Sequence, residues 1–66
     1  MMRVMLPDGL FRSRCSFDRG SVHEVVEVRP AVAGVRDRVV MIVGVEPRFG
    51  REVRVSVLSG EFVEVV

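Results

Sequence analysis

Apolar and polar residues alternate with a period of two along most of this 66-residue chain, which is the spacing of β-strands. The clearest case is Arg51–Leu58, where valine occupies every second position from Val53 to Val57 and charged or polar residues lie between. No stretch keeps apolar residues at helical spacing over the ten or so residues that indicate a helix. The pattern therefore predicts an all-β protein.

Five strands are predicted, each bounded by residues that favour turns. They are Met2–Leu6, Val22–Arg29, Arg36–Val45, Arg51–Leu58 and Phe62–Val66. Pro7–Asp8–Gly9 ends the first strand and Pro30 ends the second. The connections are a long segment, Leu10–Ser21, then a short loop, Ala31–Val35, and a tight hairpin, Glu46–Gly50.

A one-turn connector, Ser59–Glu61, precedes the last strand and has the length of a single 3₁₀ turn. In the second strand the apolar residues change phase, which predicts a bulge near Val25–Val26. The alternation predicts a core, whose members we expect to be largely buried. They are Val4, Leu6, Val25, Met41, Val43, Val53, Val55, Val57 and Val63.

The third predicted strand is apolar on both faces between Val39 and Val43. Such a strand either bends so that it serves two sheets of a barrel, or turns its outer face to another subunit. With Met41 and Val43 inward, Val40 and Ile42 lie outward and can contact a second copy. We therefore expect either a monomer with a bent strand or a homodimer formed through Val40 and Ile42.

The order of these connections is that of a small five-stranded SH3-like barrel, with no α-helix beyond the single 3₁₀ turn. The competing OB-fold has a helix between its third and fourth strands, and the five residues from Glu46 to Gly50 leave no room for it. A chain of this length forms one domain, spanning residues 1–66.

Three segments resemble small SH3-like proteins of bacteria and phages. Asp18–Val25 is similar to the Gly-Lys-Val-Tyr-Glu-Val motif that opens the second strand of that group. Ser59–Val66 resembles its Phe-Glu-Val-Val type of ending, and Met2–Arg3–Val4 fits its first strand. The resemblance implies an SH3-like fold and a bacterial or phage origin. It implies no activity, because many members of that group have none assigned.

Composition excludes several classes of protein. The basic residues are ten arginines, the acidic residues number nine, and the formal net charge is +1. A single cysteine, Cys15, cannot form an internal disulfide, and with one histidine, His23, it cannot fill a structural zinc site. No apolar run is long enough to span a membrane. The start, Met1–Leu6, is too short for a signal peptide, so we expect a cytoplasmic protein.

No catalytic motif is present, and we expect no enzymatic activity, no cofactor and no metal site. Cys15 and His23 are the only thiol and imidazole, and a catalytic pair needs hydrogen-bond contact and an orienting third group. Glu24 or Glu27 would have to supply that group. The alternative, a small apolar Cys15 and a half-buried His23, is the more common arrangement.

The first connection carries the strongest functional signal. It combines two aromatic residues with three arginines, which are Phe11, Arg12, Arg14, Phe17 and Arg19. Such residues can contact a protein partner, or stack on bases and bind phosphates. The alternative is that Phe11 and Phe17 plug the end of the barrel while the arginines stay solvated. A second cluster, Arg48, Phe49, Gly50 and Arg51, lies at the tip of the predicted hairpin, where an exposed Phe49 between two arginines can contact a partner.

These features favour a small protein-interaction module that binds a larger host or phage protein, or itself. The alternative is an SH3-like domain that binds nucleic acid weakly through the first connection. Strong nucleic-acid binding requires a clearly basic domain, which a net charge of +1 does not provide. Proline-rich peptides and methylated side chains are bound by Tyr- and Trp-rich sites, and this chain has neither residue.

Overall fold

The computed structural model describes residues 1–29 and 38–66. Within them the chain forms eight strands and one 3₁₀ turn, with no α-helix. The elements are β1 Arg3–Leu6, β2 Leu10–Arg12, β3 Cys15–Phe17, β4 Ser21–Glu24, β5 Glu27–Arg29, β6 Val39–Glu46, β7 Arg51–Leu58, the 3₁₀ turn η1 Ser59–Glu61, and β8 Val63–Val65. The all-β prediction is confirmed. The predicted loop Ala31–Val35, with Pro30 before it and the first residues of the predicted third strand after it, lies outside the described residues.

Three antiparallel sheets, ordered β4-β1-β8, β2-β3 and β5-β6-β7, contain these strands. The sheets are open, and the described residues form eight strands rather than the predicted five. Two of the extra strands, β2 and β3, form a hairpin inside the predicted connection Leu10–Ser21. Another arises because the predicted second strand is divided into β4 and β5.

The division between β4 and β5 occurs at Val25–Val26, where the sequence predicts a bulge. The Val25 N–H donates to the Met2 carbonyl in the first sheet, with N and O 2.9 Å apart. The Val26 N–H donates to the Met41 carbonyl in the other sheet, also at 2.9 Å. Two consecutive residues therefore belong to different sheets, and the irregularity is a break that carries the chain from one sheet to the other.

The second half of the chain follows the prediction closely. Strand β7 has the predicted bounds, and η1 is the predicted 3₁₀ turn. The tight hairpin between β6 and β7 is also confirmed, because the Gly50 N–H donates to the Glu46 carbonyl at 2.8 Å. Gly50 has a φ of 66°, in the left-handed region that glycine adopts without steric cost.

The core lies between the sheets and is built largely from valine. Its fully buried members are Val4, Leu6, Cys15, Val40, Ile42, Val55 and Val57. The predicted burial of Val4, Leu6, Met41, Val55 and Val57 is confirmed. Val25 and Val53 are half-buried and pack against the core. The predicted burial of Val43 and Val63 is wrong, since they are 38% and 51% exposed.

The inward face of β6 is the opposite of the predicted one. Val40 and Ile42 are fully buried, while Val43 and Val45 point outward. The prediction that Val40 and Ile42 form a self-association face is therefore wrong. Gly44 and Glu46 occupy the next two inward positions. Because neither residue is a large apolar one, the apolar pattern of the sequence does not indicate which face of β6 is buried.

Gly44 is where the β2–β3 hairpin contacts β6. A Cβ atom on Gly44 would lie 2.8 Å from Cζ of Phe17 and 2.9 Å from Sγ of Cys15. Side chains do not approach this closely, so β3 can lie directly on β6 only because residue 44 is glycine. The hairpin therefore covers the inner face of β6. The sequence pattern does not predict this hairpin.

We expect Val55→Ala to lower the free energy of unfolding by about 1–3 kcal/mol, because it removes two methyl groups from the core and leaves a cavity. Val45→Ala is the matched control, since Val45 is 57% exposed and its truncation leaves no cavity. Urea denaturation of both variants measures the effect. Equal stability of the two variants would contradict the face assigned to β7.

Candidate functional site

The two clusters predicted separately from the sequence meet at one buried carboxylate. Glu46, at the end of β6, is 4% exposed. Its Oε1 lies 3.7 Å from Nη1 of Arg14, in the turn between β2 and β3. Its Oε2 lies 3.3 Å from Nη2 of Arg51, at the start of β7. Glu46 therefore joins the first connection to the β6–β7 hairpin.

Phe49 lies at the tip of the β6–β7 hairpin and is 62% exposed. The guanidinium carbons of Arg48 and Arg51 lie 5.3 and 5.5 Å from the centre of its ring. Both distances are within the range of a cation–π interaction. An exposed aromatic ring is thus held against two guanidinium groups. We call Arg14, Glu46, Arg48, Phe49 and Arg51 the distal Arg–Phe cluster.

The arginines outnumber the acid in this cluster by three to one, so its formal charge is +2. The side chains of Arg14 and Arg51 are 69% and 70% exposed, whereas that of Glu46 is 5% exposed. Oε1 of Glu46 is buried and has no hydrogen-bond partner within residues 1–29 and 38–66. A partner would therefore meet guanidinium groups and a phenyl ring, with the carboxylate beneath them.

The turn that carries Arg14 has an unusual backbone. Ser13 and Arg14 have φ values of 54° and 64°, as the two central residues of a type I′ hairpin turn require. Asparagine and glycine are the usual residues there, and each left-handed residue of another type costs about 1–2 kcal/mol. Packing of the flanking hairpin strands offsets this cost, since Cys15 is 1% exposed.

Arg12 has a structural role in the same hairpin. Its Nη1 and Nη2 donate to the two carboxylate oxygens of Glu61 at 2.8 and 3.0 Å, and Nη1 also donates to the Ser56 carbonyl at 2.6 Å. A bidentate pair of this kind fixes both partners. Arg12 thereby ties the β2–β3 hairpin to β7 and η1. Of the predicted contact residues it is the least free to bind a partner.

The other predicted residues of the first connection point in different directions. Phe17 is half-buried, and its ring meets that of His23 edge-on, with centroids 4.9 Å apart. Phe11 is 75% exposed and lies opposite Ser16 on the outer face of the hairpin. The side chain of Arg19 is 83% exposed and lies 4.0 Å from Asp8. Of the two aromatics, Phe17 packs against the core and Phe11 does not, so the alternative in which both fold inward is wrong for Phe11.

The sequence pattern predicts Glu46 as the first residue of the hairpin turn and does not identify it as a site residue. The inward position of Glu46 follows once the phase of β6 is known. The side chains of a strand alternate, so a strand that places Val40 and Ile42 inward also places Glu46 inward. A buried carboxylate needs a cationic partner, which points to the neighbouring arginines.

Two groups have shifted pKa values with clear causes. Burial lowers the pKa of His23, whose Nε2 lies 2.7 Å from the Ser21 hydroxyl. For Glu61, burial acts to raise the pKa, but the hydrogen bonds from Arg12 and the Leu58 N–H, together with the charge of Arg12, outweigh it. The net result is a lowered pKa. The Arg12–Glu61 pair therefore favours the ionised carboxylate.

The described residues contain no group of three or more His, Cys, Asp or Glu side chains that could hold a metal ion. No helix in that part of the chain has the length and apolar character needed to cross a membrane. Cys15 is a buried free thiol. Comparison of the chain with protein-family models, with curated proteins and with solved structures finds no match.

We expect the stability of the protein to fall as the pH drops through the carboxylate range, in part because of Glu61. Its pKa is lower in the folded state, so the unfolded chain takes up the proton first and acid favours unfolding. The stability that Glu61 contributes is complete at pH values above its pKa in the unfolded chain. It is lost as the pH falls through the lower pKa of Glu61 in the folded protein.

Urea denaturation at pH values from neutral to about 3 measures this effect. Glu61→Gln removes the ionisable group and should flatten the acid side of the profile. Glu64→Gln, in an exposed residue on β8, is the matched control and should leave the profile as steep as in the wild type. An unchanged profile in Glu61→Gln would show that the pair with Arg12 contributes nothing to the pH dependence.

Proposed function

We propose that this protein is a non-catalytic interaction module that binds an acidic surface of a protein partner through the distal Arg–Phe cluster. The observation that carries the proposal is the exposed Phe49 ring held against Arg48 and Arg51, with Arg14 joined to Arg51 through Glu46. Phenylalanine and arginine are enriched in the cores of protein interfaces, and arginine is enriched among the few residues that carry most of the binding energy. The cluster offers both, with a positive formal charge that favours an acidic partner.

Contacts within the cluster restrict its side chains in the absence of a partner. Glu46 contacts Arg14 and Arg51, and the Phe49 ring contacts Arg48 and Arg51. Long side chains lose conformational entropy when a partner immobilises them, and contacts that already restrict them reduce this cost. These contacts support a preformed binding surface.

We further propose that the fold is SH3-like. Support comes from the hairpin within the first connection, the passage of one chain segment from sheet to sheet at Val25–Val26, and the 3₁₀ turn η1 before the last strand. In this proposal β4 and β5 are two halves of one kinked strand. The proposal extends to a cytoplasmic protein of bacterial or phage origin.

Nucleic-acid binding is the second candidate function. Proteins that bind single-stranded nucleic acids combine basic residues with aromatic side chains, and the cluster has three arginines and one phenylalanine. Two observations rank it second. The Phe49 ring already has two guanidinium groups over it, which a stacking base would have to displace. The formal net charge of the chain is only +1.

A matched pair of double variants tests the proposed function. Arg48→Ala with Phe49→Ala removes the hairpin tip of the cluster. Arg19→Ala with Phe11→Ala removes an exposed arginine and an exposed phenylalanine that lie outside it. Substitutions of exposed residues change stability by about 0.5 kcal/mol or less, so both variants should fold.

The wild-type protein and both variants are immobilised and used to capture proteins from a bacterial lysate, and the captured proteins are identified by mass spectrometry. Binding of the captured protein is then measured with purified material. The affinity of the cluster variant for the captured protein should be about 30-fold or more weaker than that of the wild type, because a hot-spot pair is lost. The affinity of the control variant should stay near that of the wild type. The proposal fails if the two variants bind equally well.

The same proteins are titrated with a mixed-sequence single-stranded DNA oligonucleotide at several salt concentrations. A log affinity that falls steeply with log salt, and that depends on Arg48, would favour the nucleic-acid candidate. Weak binding to the oligonucleotide at all salt concentrations is the result expected for a protein-interaction module.

A further inference from the structure

Strand β7 has one paired edge and one open edge. It pairs with β6 from Arg51 to Leu58 and is the last strand of the sheet β5-β6-β7. Within residues 1–29 and 38–66 no strand pairs with its other edge. An open strand edge presents unpaired N–H and C=O groups that another strand can use.

Two hydrogen bonds identify the backbone groups on the open edge. The Leu58 N–H donates to Oε1 of Glu61 at 3.1 Å, and the Ser56 carbonyl accepts from Arg12. Both groups therefore point away from β6. Because backbone groups alternate along a strand, those of Glu52 and Arg54 lie on the same open edge. Residues 1–29 and 38–66 supply no hydrogen bond to them.

These two features define a short exposed segment. Arg12 and Glu61 occupy the edge at Ser56 and Leu58, so an incoming strand can pair only with the first half of β7. That half reads Arg51-Glu52-Val53-Arg54-Val55. The side chains of Glu52 and Arg54 both point to the outer face of the sheet and are exposed.

The charges on this segment are self-complementary. When two antiparallel copies of β7 pair about Val53, Glu52 of each copy lies opposite Arg54 of the other. An edge with like charges would repel a second copy, whereas opposite charges two residues apart attract it. This pattern favours a second copy of the chain over an unrelated extended peptide as the occupant.

We propose that two copies of this chain form a homodimer by antiparallel pairing of β7 with β7, centred on Val53. Glu52 and Arg54 of the two copies exchange four backbone hydrogen bonds and form two cross-strand ion pairs. The two three-stranded sheets become one six-stranded sheet. This interface is distinct from the predicted one at Val40 and Ile42, which are buried.

The outer face of the joined sheet supports this arrangement. Val43 lies opposite Arg54 on β6, and Val45 lies opposite Glu52. Both valines are exposed in the single chain. In the dimer the stems of Arg54 and of the partner's Glu52 lie between Val43 of one copy and Val45 of the other, and cover part of both. In the single chain, Nη1 of Arg54 lies 3.6 Å from Oε2 of Glu27. An exposed ion pair of this kind contributes little to stability, so Arg54 can pair with the partner's Glu52 instead.

Charge reversal tests the pairing by sedimentation velocity from micromolar to near-millimolar concentration. Glu52→Arg places Arg opposite Arg twice, and Arg54→Glu places Glu opposite Glu twice. Each variant alone should dimerise about 10- to 100-fold more weakly than the wild type. An equimolar mixture of the two should regain dimers, because each then meets an opposite charge. Glu64→Arg is the control and should dimerise like the wild type.

Oxidative cross-linking tests the centre of the pairing. Facing residues at such a position have Cα atoms about 4.5 Å apart, within reach of a disulfide. Val53→Cys in a Cys15→Ala background should form a covalent dimer, while Val45→Cys in the same background should not. The proposal is overturned if the wild type stays monomeric at near-millimolar concentration, if the charge variants and their mixture dimerise like the wild type, or if Val45→Cys cross-links as fast as Val53→Cys.

Discussion

The contact between the backbone of Gly44 and the side chains of Cys15 and Phe17 organises this domain. It seats the β2–β3 hairpin on β6, and a side chain at residue 44 would prevent that approach. The rest of the inner packing follows from this seat. Cys15 becomes a core residue, and Phe17 meets His23 across the end of the first sheet. For a domain of 66 residues, which buries only about 60% of its unfolded surface, this additional cover is a substantial part of the core.

The docking of the β2–β3 hairpin on β6 also determines where charged groups meet. With β3 on β6, the turn of the hairpin brings Arg14 to Glu46, and Arg12 reaches the carbonyl of Ser56 and the carboxylate of Glu61. Arg14 thus completes the distal Arg–Phe cluster, and Arg12 occupies the second half of the open β7 edge. The proposed partner-binding surface and the proposed dimer edge both depend on how this hairpin docks.

Much of the second half of the fold could be predicted from the sequence, because β7 alternates cleanly and glycine and proline mark its hairpin. The first connection could not, since Ser13 and Arg14 form a tight turn without the residues that usually signal one. The face of β6 was misread because five apolar residues in succession fit either phase. Only the inward Gly44 and Glu46 distinguish the phases, and their burial depends on the hairpin above them. Part of the candidate site was predicted, namely Arg14, Arg48, Phe49 and Arg51, but Glu46, which pairs with Arg14 and Arg51, was not.

The most direct test of this account is the stability of Gly44→Ala. A methyl group at residue 44 would clash with Cys15 and Phe17, and we expect the overpacked variant to lose about 1–3 kcal/mol of unfolding free energy. Gly60→Ala is the matched control, since no atom lies within 4 Å of a Cβ at that position. Thermal and urea denaturation of the two variants should show a large loss for Gly44→Ala and little change for Gly60→Ala. A Gly44→Ala variant as stable as the control would contradict the docking of the hairpin on β6, and with it the arrangement of the whole domain.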